Sequence, residues 1–150
     1  MSSTFGPSGG VGGSPFSAPA STANGPWRIN AVEGRSGSRI DQIELIWSNS
    51  AGATDSSSEF GGTGGSPFNF SIVTGDYLTA IQGTIGTYND SVRLFSLQFF
   101  TKNNTKSPVY GKATSYNFSY VCPTGYQITG IFGRSGSAVD ALGVYVDPIP

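Results

Sequence analysis

The stretch Gly133-Arg134-Ser135-Gly136-Ser137-Ala138-Val139-Asp140-Ala141-Leu142-Gly143-Val144 decides the fold, because its pattern occurs three times in the chain. The pattern is Gly-x-x-Gly-x-x-x-Asp-x-φ-x-φ, in which φ is an apolar residue. The other copies are Gly34–Leu45 and Gly83–Leu94, so the repeat spans about 50 residues. A repeat of this length is usually one supersecondary unit, and the chain therefore predicts three similar units that pack together.

A glycine-rich motif alternates with the aspartate pattern. Gly9–Phe16 reads Gly-Gly-Val-Gly-Gly-Ser-Pro-Phe, it recurs as Gly61–Phe68, and a degenerate third copy is Gly111–Phe118. The aspartate pattern at Gly133 has no glycine motif after it, whereas the motif at Gly9 has no aspartate pattern before it. We infer a closed three-fold object in which one unit is split, so that the first strand lies beside the last ones.

Each aspartate pattern continues into alternating apolar and polar residues, which is typical of a strand with one face in a core. The apolar faces are Ile43, Leu45 and Trp47, then Phe95, Leu97 and Phe99 with Val92 and Leu94 opposite, then Leu142, Val144 and Val146. No stretch of helical length has the period of about 3.6 residues that a helix requires. We predict an all-β protein of three small antiparallel sheets that share one axis.

The composition excludes several classes of function. The net charge of −1 and the 11% of charged residues provide no field that would attract nucleic acid or an anionic membrane. There is no run of about 18 apolar residues, so membrane insertion is not expected. The chain has no His and only nine acidic residues, with no acidic cluster, so we expect neither an enzyme, nor a cofactor, nor a bound metal.

The size and the terminal residues give further expectations. The mass of 15.6 kDa fits one domain over residues 1–150. The segment Met1–Gly6 lacks the basic and apolar regions of a signal peptide, which predicts cytoplasmic residence, with unconventional export left open. The single Cys122 fits a reducing compartment, and we expect it to be a half-buried strand residue rather than a reactive thiol.

The motifs resemble the jacalin-related lectins, above all the mannose-specific, banana-lectin-like branch. The resemblance rests on the glycine motif Gly9–Phe16, on Phe132–Val146, and on Leu97–Asn104, which is similar to the family's middle strand and following turn. It covers roughly residues 6–147. The resemblance implies a β-prism I of three Greek-key sheets with pseudo-three-fold symmetry, and it implies mannose-containing glycans as partners, with a homodimer also plausible.

The two motifs contain the groups that a sugar site needs. A carboxylate can accept from two neighbouring hydroxyls, and backbone N–H groups can donate to others. Gly136 begins the loop and leaves room for the ligand. The resemblance implies that Asp140 accepts from O4 and O6, that the N–H groups of Ser137 and Ala138 donate to O5 and O6, and that Gly13 donates to O3.

The other copies predict a second site and an incomplete third. The second site consists of Gly37, Ser38, Arg39 and Asp41 with Gly65 opposite. The third consists of Thr87, Tyr88 and Asp90, but Ser115 stands where the glycine pair is expected. Because the units are related by three-fold symmetry, we expect the sites to lie at different sheet ends and to face different directions. Arg39 and Tyr88 either contact a second sugar or are solvated side chains.

Three alternatives remain at this stage. Each motif aspartate could simply cap its own turn. The molecule could be a structural or self-associating β-prism that binds no sugar. It could also be a galactose-binding lectin, although members of that branch carry aromatic residues where this chain has Ser137 and Ala138, so the resemblance favours mannose and glucose.

Overall fold

The computed structural model describes residues 2–150, which form strands and turns without a helix. Its thirteen strands are β1 Ser3–Gly9, β2 Ser14–Ala18, β3 Trp27–Ser36, β4 Ile40–Asn49, β5 Thr54–Ser56, β6 Phe60–Gly61, β7 Ser66–Ser71, β8 Leu78–Tyr88, β9 Ser91–Thr101, β10 Tyr110–Gly111, β11 Tyr116–Val121, β12 Tyr126–Ser135 and β13 Val139–Pro148. No helix in this part of the chain is long and apolar enough to cross a membrane.

The strands of residues 2–150 form three antiparallel sheets. The first sheet has the order β1-β13-β12-β2, the second β10-β9-β8-β11, and the third β5-β4-β3-β7 with β6 also on β4. In each sheet a central hairpin is flanked by the two outer strands of a Greek key. The predicted all-β class, the three sheets and the split unit are confirmed, since β1 and β2 complete the sheet that β12 and β13 begin.

One hydrophobic core joins the three sheets. Ile43, Leu97 and Leu142 are fully buried and come from the third, second and first sheets respectively. Trp47 also lies in this core, and its indole N–H donates to the backbone oxygen of Thr129 over 2.8 Å. That bond ties β4 to β12, and thus the third sheet to the first.

The middle hairpin, β8–β9, has the same bulge as the other two but is longer beyond it. Its ladder shifts between Thr84 and Ile85, which face Ser96 and Leu94, as the other two shift at Arg35/Ser36 and at Arg134/Ser135. Because of this irregularity Leu94 is fully buried and Phe95 only half-buried. The strict alternation predicted for β9, with Phe95 on the core face and Leu94 opposite, is therefore wrong at these two positions.

Cys122 is half-buried, as the sequence predicted, but it lies directly after β11 and not within a strand. Burial raises the pKa of its thiol to about 11, because the thiolate would lose its hydration. The group is therefore protonated at neutral pH, when a thiol is a weak nucleophile.

We expect Trp47→Phe to lower the free energy of unfolding by about 1 to 3 kcal/mol, because the buried oxygen of Thr129 would lose its donor. The matched control is Trp27→Phe, since the indole of Trp27 donates to Ala23 in an exposed setting where water can replace it. Urea denaturation followed by tyrosine fluorescence measures both. Equal losses in the two variants would show that the buried bond adds nothing.

Candidate functional site

The first site lies where the loop between β12 and β13 meets the glycine segment between β1 and β2. Asp140 is only 4% exposed, and its carboxylate faces that segment. A Cβ added to Gly12 would lie 2.7 Å from Asp140 Oδ2, and one added to Gly13 would lie 3.1 Å from Oδ1. Side chains at Gly12 and Gly13 would therefore displace the carboxylate, and Gly13 also has a φ of 66° that other residues rarely adopt.

Several polar groups of this site have no partner within the protein. No side-chain hydrogen bond of residues 2–150 ends on the Asp140 carboxylate. The N–H of Gly136 donates to the oxygen of Ala138 over 3.0 Å, which closes the loop on itself. The N–H groups of Ser137 and Ala138 take part in no hydrogen bond of the described chain. An acceptor and two donors thus remain available to a ligand.

Arg134 holds the glycine segment in place. Its Nε donates to the oxygen of Gly12 over 3.0 Å, and a second guanidinium nitrogen donates to the oxygen of Gly13 over 2.9 Å. The sequence analysis missed this residue. A signal was present, because Arg occupies the second position of the pattern at both Gly34 and Gly133.

The second site repeats this arrangement around Asp41, which is 5% exposed. A Cβ on Gly64 would lie 2.9 Å from Asp41 Oδ1, and one on Gly65 would lie 2.7 Å from Oδ2. Arg35 donates to the oxygens of Gly64 and Gly65 over 3.1 and 2.8 Å. The structure therefore brings together Asp41 and Gly65, as it brings together Asp140 and Gly13.

The loop of the second site is also closed by its own backbone. Gly37 N–H donates to the oxygen of Arg39 over 3.1 Å, and the N–H groups of Ser38 and Arg39 are free of hydrogen bonds in the described residues. The Arg39 side chain is not simply solvated. Its guanidinium lies 4.0 Å from the ring centroid of Tyr88, and its Nε lies 3.9 Å from Asp41 Oδ1.

The charges around Asp140 oppose the effect of its burial. Burial raises the pKa of this carboxyl, and the positive charges of Arg93 and Arg134 lower it, with burial the larger effect. Arg93 belongs to β9, so the middle hairpin contributes to the electrostatics of the first site. The sequence contains no local signal for that contact.

The position predicted for the aspartate of the third copy is wrong. Asp41 and Asp140 each accept a backbone N–H through their own carbonyl, from Gly62 and Gly10, and the equivalent carbonyl in the second sheet belongs to Phe95, which accepts from Lys112. Phe95 thus occupies the place of the motif aspartate.

Asp90 instead lies at the tip of the β8–β9 hairpin. Asn89 and Asp90 have φ angles of 50° and 61°, as in a two-residue type I′ turn, and Thr87 and Tyr88 are paired with Val92 and Ser91 in the ladder. Ser115 adjoins Tyr116, which faces Ile85 further down the hairpin. Asp90 and Ser115 are therefore not brought together, and no carboxylate stands in the third position.

The hairpin tips and glycine segments of all three units meet at one end of the molecule. Gly62, in the segment of the second site, packs against the backbone of Ser137 in the first. Gly10, in the segment of the first site, packs against Val92 of the middle hairpin. The two sites lie at the ends of different sheets, as expected, but those sheet ends adjoin at one end of the molecule.

The comparisons with known proteins identify the family. The family described as "Jacalin-like lectin domain" matches this chain over residues 5–145. This chain belongs to the jacalin-like lectin family. It is similar to Horcolin from Hordeum vulgare, with 31% identity over 145 residues that cover 96% of each chain. It is also similar to the jacalin-related lectin Calsepa from Calystegia sepium, with 34% identity over 85% of this chain and 95% of that one.

Solved structures of the family confirm the fold. Malaysian banana lectin superposes with a TM-score of 0.85 at 31% identity, covering 99% of this chain and 100% of the lectin. The mannose-binding jacalin-related lectin of Ananas comosus gives 0.82 at 28% identity, with 99% of both chains covered. The Calsepa lectin in complex with a biantennary N-glycan gives 0.83 at 30% identity, covering 99% and 98%. The β-prism I architecture and the resemblance found in the motifs are thereby confirmed.

Proposed function

We propose that this lectin binds mannose- and glucose-type glycans through two neighbouring sites, centred on Asp140 and Asp41, and that it catalyses no reaction. The observation that carries the proposal is the pair of buried carboxylates without an internal hydrogen-bond donor. Burying an ionised group is costly unless it is paired. Within residues 2–150 the ion-pair contact made by these carboxylates is that of Arg39 Nε with Asp41 Oδ1 at 3.9 Å, which is too long for a hydrogen bond. Two such groups at one repeat position, each beside unused N–H groups, indicate sites whose partner is a ligand.

A pyranose supplies the complementary groups. Two adjacent hydroxyls donate to the Asp140 carboxylate as charge-assisted hydrogen bonds. The N–H groups of Ser137 and Ala138 donate to the ring oxygen and the exocyclic hydroxyl, and the N–H of Gly13 donates from the opposite side. Asp41, Ser38, Arg39 and Gly65 act in the same way in the second site. Arg134 and Arg35 position the glycine segments and need not touch the sugar.

The relatives support this choice of ligand. The Ananas comosus lectin is described as mannose-binding, and the Calystegia sepium lectin has been solved with a biantennary N-glycan. The first site of this chain has small residues, Ser137 and Ala138, in the loop beside the carboxylate, which leaves space for a ring with an equatorial O4. We extend the mannose-type ligand to this chain on those grounds.

Neither a catalytic role nor another class of partner has comparable support. The chain lacks His, and each site offers a single carboxylate where a glycosidase uses two. No group of three acidic or Cys residues in residues 2–150 could hold a metal ion. Cytoplasmic residence and homodimerisation remain part of the proposal, on the composition and the family resemblance respectively.

Methyl α-mannoside should bind in the millimolar range, which corresponds to about −4 kcal/mol. Galactose should not bind, because its axial O4 points away from the carboxylate. ¹H–¹⁵N NMR titration resolves the two sites, since the amides of Ser137 and Ala138 report on one and those of Ser38 and Arg39 on the other. Galactose affinity equal to that of mannoside at either loop would contradict the assignment.

Asp140→Asn and Asp41→Asn should each abolish binding at their own loop and leave the other loop unchanged. Loss of a charged acceptor costs about 1.5 to 3 kcal/mol, enough to remove millimolar binding. The matched control is Asp90→Asn, the same change at an exposed hairpin turn, which should leave both loops unaffected. A double variant Asp140→Asn, Asp41→Asn that still adheres to a mannan column would disprove the two-site mechanism.

Acidification should weaken binding at the first site at a higher pH than an ordinary aspartate would predict. Burial raises the pKa of Asp140 above 3.8, so its carboxylate takes up a proton earlier as the pH falls and then accepts fewer hydroxyl bonds. The raised pKa also means that protonation of Asp140 favours the folded state, so loss of sugar need not accompany unfolding. NMR titrations of Asp41→Asn with methyl α-mannoside from pH 7 to 4 measure this. An affinity that stays constant over that whole range would contradict it.

A further inference from the structure

A cleft of about 640 Å³ lies at the opposite end of the third sheet from the two sugar sites. Its walls include the open end of the β3–β4 hairpin, where Trp27 faces Asn49. The loop end of the same hairpin, where Ser36 faces Ile40, carries the second sugar site. At roughly 3.3 Å per strand residue, the cleft lies about 30 Å from that site.

Apolar and aromatic side chains form much of the cleft wall. Trp27, Ile72, Val73 and Tyr77 all line it. The indole N–H of Trp27 donates to the oxygen of Ala23 over 2.7 Å, which fixes the position of the ring. Val73 is 69% exposed, so an apolar surface at this position remains in contact with solvent. Such walls suit a flat, largely apolar ligand body.

Arg28 is the ionic side chain that lines the cleft, and no acidic side chain accompanies it there. One guanidinium nitrogen donates to the oxygens of Ile29 and Ile72 over 3.2 and 3.1 Å, which holds the group rigidly. No hydrogen bond within residues 2–150 occupies its Nε or its second terminal nitrogen. The cleft therefore presents a fixed positive charge with donors to spare, which favours an anionic group.

Gln127 supplies the complementary acceptor. It lines the cleft from β12, is only 2% exposed, and its amide oxygen has no hydrogen-bond partner in the described chain. A buried acceptor without a donor is unfavourable, so the Gln127 side chain gains by turning its amide oxygen toward an O–H or N–H that a ligand offers in the cleft. This requirement is separate from the one that Arg28 imposes.

We propose that the cleft binds a planar aromatic acid of two or three rings that also carries a hydroxyl group. The ring system packs against Trp27 and Tyr77, the carboxylate accepts from Arg28, and the hydroxyl donates to Gln127. The cleft volume lies within the range of about 300 to 1,000 Å³ that is usual for small-molecule sites. The cleft would bind its ligand through a positive guanidinium and an amide oxygen, whereas the proposed sugar sites accept hydroxyl hydrogen bonds through carboxylates.

The probe is 6-hydroxy-2-naphthoate, which has two fused rings with the carboxylate and the hydroxyl at opposite ends. Calorimetry and quenching of Trp27 fluorescence should show one molecule bound per chain, and saturating methyl α-mannoside should not displace it. Two analogues test the polar contacts: 2-naphthoate lacks the hydroxyl and 6-hydroxy-2-naphthamide lacks the charge. Each should bind about tenfold more weakly or worse.

Arg28→Gln should weaken binding of the probe by about tenfold or more, whereas Lys106→Gln, which removes an exposed positive charge away from the cleft, should not. Gln127→Leu should abolish the preference for the probe over 2-naphthoate. Cooperative thermal unfolding establishes that each variant is folded. If Arg28→Gln does not fold, the affinities of the two analogues for the unaltered protein still test the proposed contacts. Absence of binding at millimolar probe, displacement by mannoside, or equal affinity for probe and analogues would overturn the proposal.

Discussion

In each sheet, the backbone of one glycine lies very close to the second strand of the central hairpin, and the rest of the molecule depends on this contact. Gly9, Gly61 and Gly111 lie so near the carbonyls of Asp140, Asp41 and Phe95 that a Cβ at any of them would overlap the oxygen. The next residue then donates its N–H to that same carbonyl over 2.8 Å in all three sheets. Each flanking strand is thereby joined to its hairpin at one level of the prism. A side chain at these positions would separate the two and open the end where the sites lie.

The two candidate sites follow from this contact, and their buried carboxylates oppose stability. Once the glycine segment is held against the hairpin, the side chain of Asp140 or Asp41 has little solvent and no internal donor. Arg134 and Arg35 fix the segments through backbone oxygens rather than by pairing with the carboxylates, so the acceptors stay free. Burial accordingly raises the pKa of Asp140. The protein keeps an unfavourable buried charge where a ligand can satisfy it.

The middle unit keeps the fold but has a different role. Phe95 replaces the aspartate, and Thr84, which bonds to Ser96 and accepts the N–H of Thr114, stands where the other units have Arg35 and Arg134. Its longer hairpin reaches between the two sites, where Tyr88 packs on Arg39 and Arg93 lies near Asp140. The middle hairpin thus contributes side chains to the surroundings of both candidate sites, although its own unit has no carboxylate at the equivalent position.

The sequence by itself determined the architecture and which residues meet in the two candidate sites. The repeat, the alternating strands and the displaced glycine motif were enough to predict three sheets with a split unit. They also paired Asp140 with Gly13 and Asp41 with Gly65. In similar repeat units, residues at equivalent positions lie beside equivalent neighbours.

Only the tertiary structure decided what local patterns do not encode. The β8–β9 hairpin is longer than the other two beyond the shared bulge, so a pattern matched without gaps placed Asp90 where the ladder puts Phe95. The proximity of Arg93 to Asp140, the contact between the two candidate sites through Gly62 and Ser137, and the cleft lined by Arg28 and Gln127 all arise between different sheets. Contacts of that kind depend on how the sheets pack around their axis, and no single repeat contains that information.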